Sequence, residues 1–375
     1  MTRSNLGRLT APGAFALTAV LALSACSAAN EPSSAASDEG GGGGEGGESL
    51  SGSVAGGGAS SQEAAQAAWT AGFQTANPDA TINYDPVGSG GGREGFINGS
   101  YKFAGSDAYL EGKELKGAEK NCGGSVIEVP AYISPIAVIY NLPGVDSLNL
   151  SAENIAGIFA GEISTWNDPA IAEDNPEADL PDTAVNPVHR SDESGTTENF
   201  TSYLDAAAPD VWTSGEVETW PTDLGGEAGN GTSGVVSAVG QGEGSIGYAD
   251  ASQAGELGTA AVGVGSEFVE YSPEAAAAVV DASEQVEGRG ETDLAIDVAR
   301  DTTESGVYPI VLVSYLLACP SYENADEAAL VKGYLDYIIS EEGQQAAADA
   351  AGSAPISEDL RSQAQTAIDA IETGS

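Results

Sequence analysis

Residues 53–75 read SVAGGGASSQEAAQAAWTAGFQT. The stretch begins as a short strand, Ser53–Gly56, and turns through the glycine-rich run Gly56–Ser61. It continues as a helix over Gln62–Thr75, because Ala64, Ala65, Ala68, Trp69 and Phe73 recur near the 3.6-residue period and form one apolar face. Ser60 with Glu63 fits a capping box at the helix start. Strand, glycine turn and helix in immediate succession form the repeating unit of an α/β fold.

The same unit recurs. Ala80–Val87 alternates as a strand, Gly88–Gly92 breaks it, and a helix is expected from Arg93. Thr183–His189 reads as a strand, and Arg190–Thr197 forms a turn rich in small polar residues before a helix over Thr196–Ala206. Between these units, Val126–Tyr140 is apolar and punctuated by proline, which predicts a buried strand pair. Short helices are expected over Ala152–Ala160, Trp166–Ala172 and Pro273–Ser283, and a short strand over Ser245–Tyr248. Two long helices, Asp326–Ala350 and Ser357–Thr373, close the chain.

The three turns share one chemistry. Each sets glycines and small hydroxyl residues at a helix N-terminus, where the first N–H groups lack partners and the helix dipole is positive. Such an end attracts an anion, and glycine lets the backbone approach it closely. One turn carries Arg190 as a cation. None is followed by the Gly-Lys-Ser/Thr of a nucleotide P-loop, and there is no Gly-x-Ser-x-Gly elbow. The pattern points to a site for a small oxyanion rather than for a nucleotide.

Composition bounds the alternatives. The 375 residues carry 57 Asp+Glu against 12 Lys+Arg, a formal charge of −45. That excludes a nucleic-acid binder, which needs a basic face, and docking on anionic lipid through a polybasic patch. One His and three Cys exclude His-rich and Cys-rich zinc sites. Metals held by carboxylates alone stay possible on composition, but no metal site or cofactor is assigned. Arg3 and Arg8 precede an apolar run that ends in Leu23-Ser24-Ala25-Cys26, so residues 1–25 read as a lipoprotein signal peptide with Cys26 lipidated, as by a palmitate chain. Residues 26–48 are small, polar and acidic and form a flexible tether, with a span of roughly 25–30 Å. Cys122 and Cys319 remain, and in an exported chain they suggest a disulfide, with two buried free thiols as the alternative.

Taken together, several segments make the chain resemble the phosphate-binding protein of the high-affinity bacterial phosphate ABC importer. They are Gly56–Ser61, Gly88–Gly92, Phe103–Ala108, Gly161–Pro176, Arg190–Thr196 with Asn199–Leu204, Trp220–Gly226 and Gly244–Tyr248. The resemblance implies an α/β, two-lobed periplasmic-binding-protein-like fold of type II, each lobe a mixed sheet flanked by helices, joined by two crossover strands. Lobe 1 would comprise 49–131 and 311–375, and lobe 2 would comprise 132–310. The hinge would lie near Pro130–Ile133 and Tyr308–Val311.

It also implies a phosphate site of Ser60, Ser61, Ser89, Asp107, Arg190, Ser194, Gly195 and Thr196. Asp107 would accept a proton from the ligand, and Asp192 would brace Arg190. The implied partners are inorganic phosphate and the transmembrane subunits of an ABC permease. The chain would be a monomer, held by its lipid on the outer face of the membrane, and not an enzyme. Other readings are a binder of another oxyanion or phosphate ester, a secreted phosphatase, and a phosphate sensor. Two departures stand out: Ser60-Ser61 replaces a common Thr-Phe, and Glu193 stands where glycine is common. His189 neighbours Arg190, but on a strand it faces the other way and reads as a packing residue.

Overall fold

The computed structural model describes residues 49–373. The expected signal peptide (1–25), Cys26 and the tether (26–48) lie outside the described residues.

Strand β1 (Ser51–Gly58) leads through a 3₁₀ turn (Ser60–Gln62) into α1 (Glu63–Ala76), and β2 (Asp79–Asp85) returns beside β1. Then come α2 (Ser89–Ile97), β3 (Phe103–Ser106) and α3 (Gly112–Asn121). The long β4 (Ile127–Asn141) precedes β5 (Asn149–Leu150), α4 (Ala152–Phe159) and α5 (Pro169–Asp174). Next are β6 (Asn186–Arg190), α6 (Gly195–Ala207), β7 (Glu227–Gly229), α7 (Gly231–Gln241) and β8 (Ser245–Asp250). The short β9 (Gly258–Thr259), β10 (Ala261–Val264) and β11 (Glu267–Val269) precede α8 (Pro273–Asp281), β12 (Glu284–Gln285) and β13 (Ile296–Asp297). Strand β14 (Val311–Ala318) and helices α9 (Ala325–Ile339), α10 (Glu341–Ala351) and α11 (Glu358–Ile368) complete the body.

The main sheet runs β2-β1-β3-β14-β4-β8-β6-β7, with β9 also on β4. Its parallel pairs are β1 with β2 and β3, and β6 with β7 and β8. This is the expected α/β architecture. Residues 127–135 of β4 pair with β14, and from Ile136 onward β4 pairs with β8 instead. The sheet therefore changes partners at Pro135–Ile136. The segment before β14 folds back on the first part of β4, where the Leu294 amide donates to the Glu128 carbonyl, and on the loop before α3, where Arg289 donates to the Leu110 carbonyl.

Several expectations need correction. Val126–Tyr140 is one strand, not a pair. Its proline at 130 sits at a bulge, where Tyr315 faces Pro130, Ser314 faces Tyr132 and Ala131 is left over, so no ladder bond is lost there. Helix α2 begins at Ser89, inside the glycine run, rather than at Arg93. Close packing explains glycine at 92: a Cβ there would lie 2.9 Å from the Gly57 carbonyl oxygen of β1. The expected helix at 166–172 is displaced to Pro169–Asp174, where the Asp168 carboxylate caps the Ala170 amide and Pro169 takes the first position. The long helix over 326–350 divides at Ser340, whose hydroxyl caps the Gly343 amide. The Ser60–Glu63 capping box does not form, because the Ser60 hydroxyl turns away to Thr232. Helices α3 and α7 were not expected. Both are short, and α7 is built largely of Gly, Val and Ser.

The core is carried by the two central strands, β14 being buried at every position and β4 at all but its last. This is why both read as unbroken apolar runs rather than alternating ones. Cys122, just after α3, is disulfide-bonded to Cys319, just after β14, with Cα atoms 4.9 Å apart and 197 residues between them. Loop-closure entropy alone gives such a bridge about 5 kcal/mol. Replacing both cysteines by alanine is expected to lower unfolding free energy by about 2–5 kcal/mol, read from the denaturant midpoint.

Candidate anion-binding site

Three strands end close together: β1 and β3 run parallel to each other, and β6 runs parallel to β7 and β8 in the other half of the sheet. The C-terminal ends of β1, β3 and β6 carry Gly58, Ser106 and Arg190, and the N-termini of the 3₁₀ turn after β1, of α2 after β2 and of α6 after β6 lie in a common region. Open α/β sheets bind ligands at this edge, where connections leave in opposite directions. Every residue expected in the site lies there and is buried: Ser60, Ser61, Ser89, Asp107, Arg190, Ser194 and Thr196 are each at most 4% exposed. Gly88 enters α2 at φ +93°, a conformation that side chains other than glycine rarely adopt, with Asp192 and Arg190 beside it.

Asp107 is the centre of the polar network. Ser61 Oγ donates to its two oxygens at 2.7 and 2.9 Å, and Thr196 Oγ1 donates to Oδ2 at 3.0 Å. Ser314 Oγ donates to Oδ1 at 2.6 Å and itself accepts from the Gln62 amide. The Asp107 backbone amide donates to Ser89 Oγ at 3.1 Å, and Asn199 Nδ2 donates to the Asp107 carbonyl at 2.8 Å. Burial pushes the carboxyl up; the hydroxyls of Ser314, Ser61 and Thr196 and the Arg190 charge pull it back without cancelling the rise.

Arg190 forks onto Asp192, with Nε to Oδ1 at 2.8 Å and Nη2 to Oδ2, while its Nη1 reaches Thr196 Oγ1 at 3.4 Å. The Gly231 amide also donates to Asp192. Burial raises the Asp192 carboxyl, but Arg190 and that amide outweigh it, so the group sits below its ordinary value. Arg190 and Asp192 thus form a charge pair beside Thr196. Ser194 caps α6 by accepting the Thr197 amide at 3.1 Å, which leaves its own hydroxyl proton free to donate. His189 stacks on Trp220, with ring centroids 4.8 Å apart and planes 8° from parallel, as a packing residue would.

Sequence reading missed part of the site. The start of α7, Gly229-Asn230-Gly231-Thr232, is a fourth turn of the same design, and Thr232 meets Ser60 at 3.0 Å between hydroxyls. Its glycine–hydroxyl composition before an apolar run was the available signal. Ser314 was visible only as a single polar residue in the apolar run 311–318. Arg93 gave no signal at all. It is 1% exposed, contacts Glu218 at 2.6 Å and Glu114 at 2.7 Å, and so joins α2 to the loop after α6. Gln253 donates to the Ser60 carbonyl at 3.0 Å, adding another link between the two parts of the sheet.

Beside Arg93 lies Glu198, one of whose carboxyl oxygens is buried without a partner. Burial, and then the neighbouring Glu218 and Glu216, push Glu198 well above the carboxylate range, so it holds a proton at neutral pH. The folded chain then binds more protons than the unfolded one above about pH 4.3, and stability falls as pH rises from there, by up to about 1.4 kcal/mol per pH unit. Glu198→Gln, neutral throughout, is expected to flatten that slope in denaturation series at successive pH values.

No group of three or more His, Cys, Asp or Glu among the described residues is placed to hold a metal ion. A profile described as a PBP superfamily domain matches residues 43–342. The chain is 36% identical over 317 residues to phosphate-binding protein PstS 3 of Mycobacterium leprae, covering 82% of this chain and 84% of that protein. It is 34% identical to PstS 2 of Mycobacterium tuberculosis, with the same coverage. It is also 34% identical to PstS of Xylella fastidiosa, over 74% of this chain and 75% of that one. Among solved structures, a high-affinity periplasmic phosphate-binding protein (PfluDING) with bound phosphate superposes with a TM-score of 0.69 at 23% identity, over 84% of this chain and 93% of that one, and shares the fold. With its α/β sheet, its anion-seeking helix ends and relatives that cover most of its length, the chain belongs to the PBP superfamily and, within it, to the PstS phosphate-binding proteins.

Proposed function

We propose that this chain captures inorganic phosphate outside the cytoplasm and delivers it to the transmembrane subunits of an ABC permease, without making or breaking bonds. The observation that carries this reading is the convergence of buried hydroxyls and helix N-termini on Asp107, with Arg190 held alongside by Asp192. A buried dianion needs many hydrogen bonds to offset its desolvation, and neutral dipoles with one guanidinium fork can supply them. Ser60, Ser61, Ser89, Ser194, Gly195 and Thr196 donate through hydroxyls or backbone amides, and Arg190 provides the cation. Asp107 accepts the proton that phosphate retains. Its two oxygens offer about four acceptor positions. Ser61, Ser314 and Thr196 use three, so one remains for the ligand.

In this reading the body closes over its ligand as two lobes, 49–131 with 311–375 and 132–310, hinged where β4 and the chain before β14 cross. The partner change of β4 at Pro135–Ile136 supports such a division. Contacts such as Ser60–Thr232, Asp107–Thr196 and Arg93–Glu218 would then form on closure and select the ligand-bound state. Cys26 would hold a monomer to the membrane by its lipid. No helix among the described residues is long and apolar enough to cross a bilayer.

Calorimetric titration with phosphate, with sulfate, arsenate and molybdate as competitors, tests the reading. Tight phosphate binding that sulfate does not displace is expected. Preferred binding of another oxyanion would overturn the assignment of ligand, and turnover of a chromogenic phosphate ester would overturn the non-enzymatic role. The acidic surface repels phosphate over a screening length of about 8–10 Å at moderate salt. Stopped-flow association is therefore expected to quicken as salt rises.

A further inference from the structure

The polar network around Asp107 does not end at the residues assigned to phosphate. Gln62, at the end of the 3₁₀ turn, Gln66 in α1, Ser314 in β14 and Tyr334 in α9 are all buried, and one chain of hydrogen bonds joins them. The Tyr334 hydroxyl donates to Gln66 Oε1 at 2.8 Å, and Gln66 Nε2 donates to Gln62 Oε1 at 2.8 Å. Gln62 Nε2 donates to Ser314 Oγ at 2.6 Å, and Ser314 Oγ donates to Asp107 Oδ1 at 2.6 Å.

A backbone carbonyl fixes the direction of this chain. Gln62 Nε2 also donates to the Tyr315 carbonyl at 3.3 Å, and a carbonyl can only accept. The nitrogen of Gln62, not its oxygen, must therefore face β14. Ser314 accepts that amide proton, which leaves its own single proton for Asp107. With the Gln62 amide turned over, Ser314 would donate to the amide oxygen and Asp107 would lose a donor.

The outcome differs between the two oxygens of Asp107. Oδ1 takes both Ser61, at 2.7 Å, and Ser314. Oδ2 takes Thr196 at 3.0 Å and only the longer arm of Ser61, at 2.9 Å. A carboxylate oxygen has about two acceptor positions, so the open one is on Oδ2. Burial pushes the Asp107 carboxyl up, and Ser314 is the strongest of the groups that draw it back.

We propose that Gln62 is a specificity-determining positioning residue: acting through Ser314, it keeps Oδ1 occupied and Asp107 an acceptor, so that Oδ2 alone meets the proton of the bound oxyanion. The inference rests on the phosphate reading of the site and adds to it a residue outside the set assigned to the ligand.

Gln62→Met keeps the length of the side chain and removes both polar atoms. In calorimetric titrations the wild type is expected to prefer phosphate, and Gln62→Met to lower the phosphate-to-sulfate affinity ratio at least tenfold, the scale of one hydrogen bond to a charged group. Ser314→Ala should do the same. Adding Gln62→Met to Ser314→Ala should lower the ratio no further, because the effect runs through Ser314. Sulfate has no proton to lose, so the pH profile of its binding reports Asp107. Gln62→Met should begin to bind sulfate at a higher pH than the wild type, since a carboxyl deprived of a donor takes up its proton sooner as pH falls. Arg190 of β6, Tyr84 of β2 and Asp250 of β8 also bear on Asp107, and burial raises Asp250 to about 7. All three are common to wild type and variant, so the shift between the two profiles belongs to Asp107. Should an unpaired Gln66 prevent folding, Gln62→Met/Gln66→Met makes both positions apolar and carries the same expectations. A wild type that binds no phosphate would sink the phosphate reading itself. With a phosphate-selective wild type, this proposal alone is overturned if Gln62→Met leaves the ratio unchanged, if it weakens both ions by one factor, or if it lowers the ratio equally in the Ser314→Ala background.

Discussion

Asp107→Asn is expected to collapse the preference for phosphate over sulfate. The carboxylate already accepts hydrogen bonds from the hydroxyls of Ser61, Ser314 and Thr196, which leaves one acceptor position. Phosphate can add a fourth proton, whereas sulfate has none and would set two acceptors face to face in a buried place. A site built round such a bond rejects the analogue that lacks it by roughly 10⁴–10⁵-fold. Asparagine replaces one acceptor with a donor, so sulfate should gain affinity and phosphate lose it, bringing the ratio toward one. Competitive calorimetry reads the ratio directly, and an unchanged value would remove Asp107 from its role. The raised carboxyl adds a pH signature. Asp107 should take up its own proton at a higher pH than the ordinary value of about 3.9, and phosphate binding should weaken there as pH falls.

Arg190→Ala is expected to weaken phosphate binding by about 2–5 kcal/mol, the usual cost of truncating one member of a buried, hydrogen-bonded charge pair. Part of that loss comes from Asp192, whose carboxylate would be left with the Gly231 amide and no cation. The double variant Arg190→Ala/Asp192→Asn separates the two effects. If the guanidinium serves the ligand, the double variant still binds poorly. If Arg190 only neutralises Asp192, removing both restores affinity. Arg190→Lys should recover charge but not the fork, and so only part of the binding.

Much of the seat was legible because its chemistry is local. A glycine–hydroxyl turn before a helix shows in consecutive residues, so Ser60, Ser89 and Ser194 could be named as candidates without a structure. Ser314, Arg93 and Asn199 could not, because each owes its role to a partner far along the chain: Ser314 and Asp107 are 207 residues apart, and Arg93 and Glu218 are 125 apart. The misread elements have the same origin. Pro130 was taken as punctuation, yet tertiary pairing puts it at a bulge within one long strand. The run 88–92 was taken as a turn, yet packing on β1 and β3 makes most of it helical.

That last packing carries a consequence for how the protein can fail. At Gly92 helix α2 rests directly on the backbones of β1 and β3, and a methyl group there would meet the carbonyls of both Gly57 and Gly105, at 2.9 and 3.1 Å. The smallest possible enlargement at that point would lift the helix and carry Ser89 away from Asp107. The damage would be done during folding, long before any phosphate arrived. A chain altered there would present as a misassembled protein rather than as a weak binder, and added ligand could not rescue it.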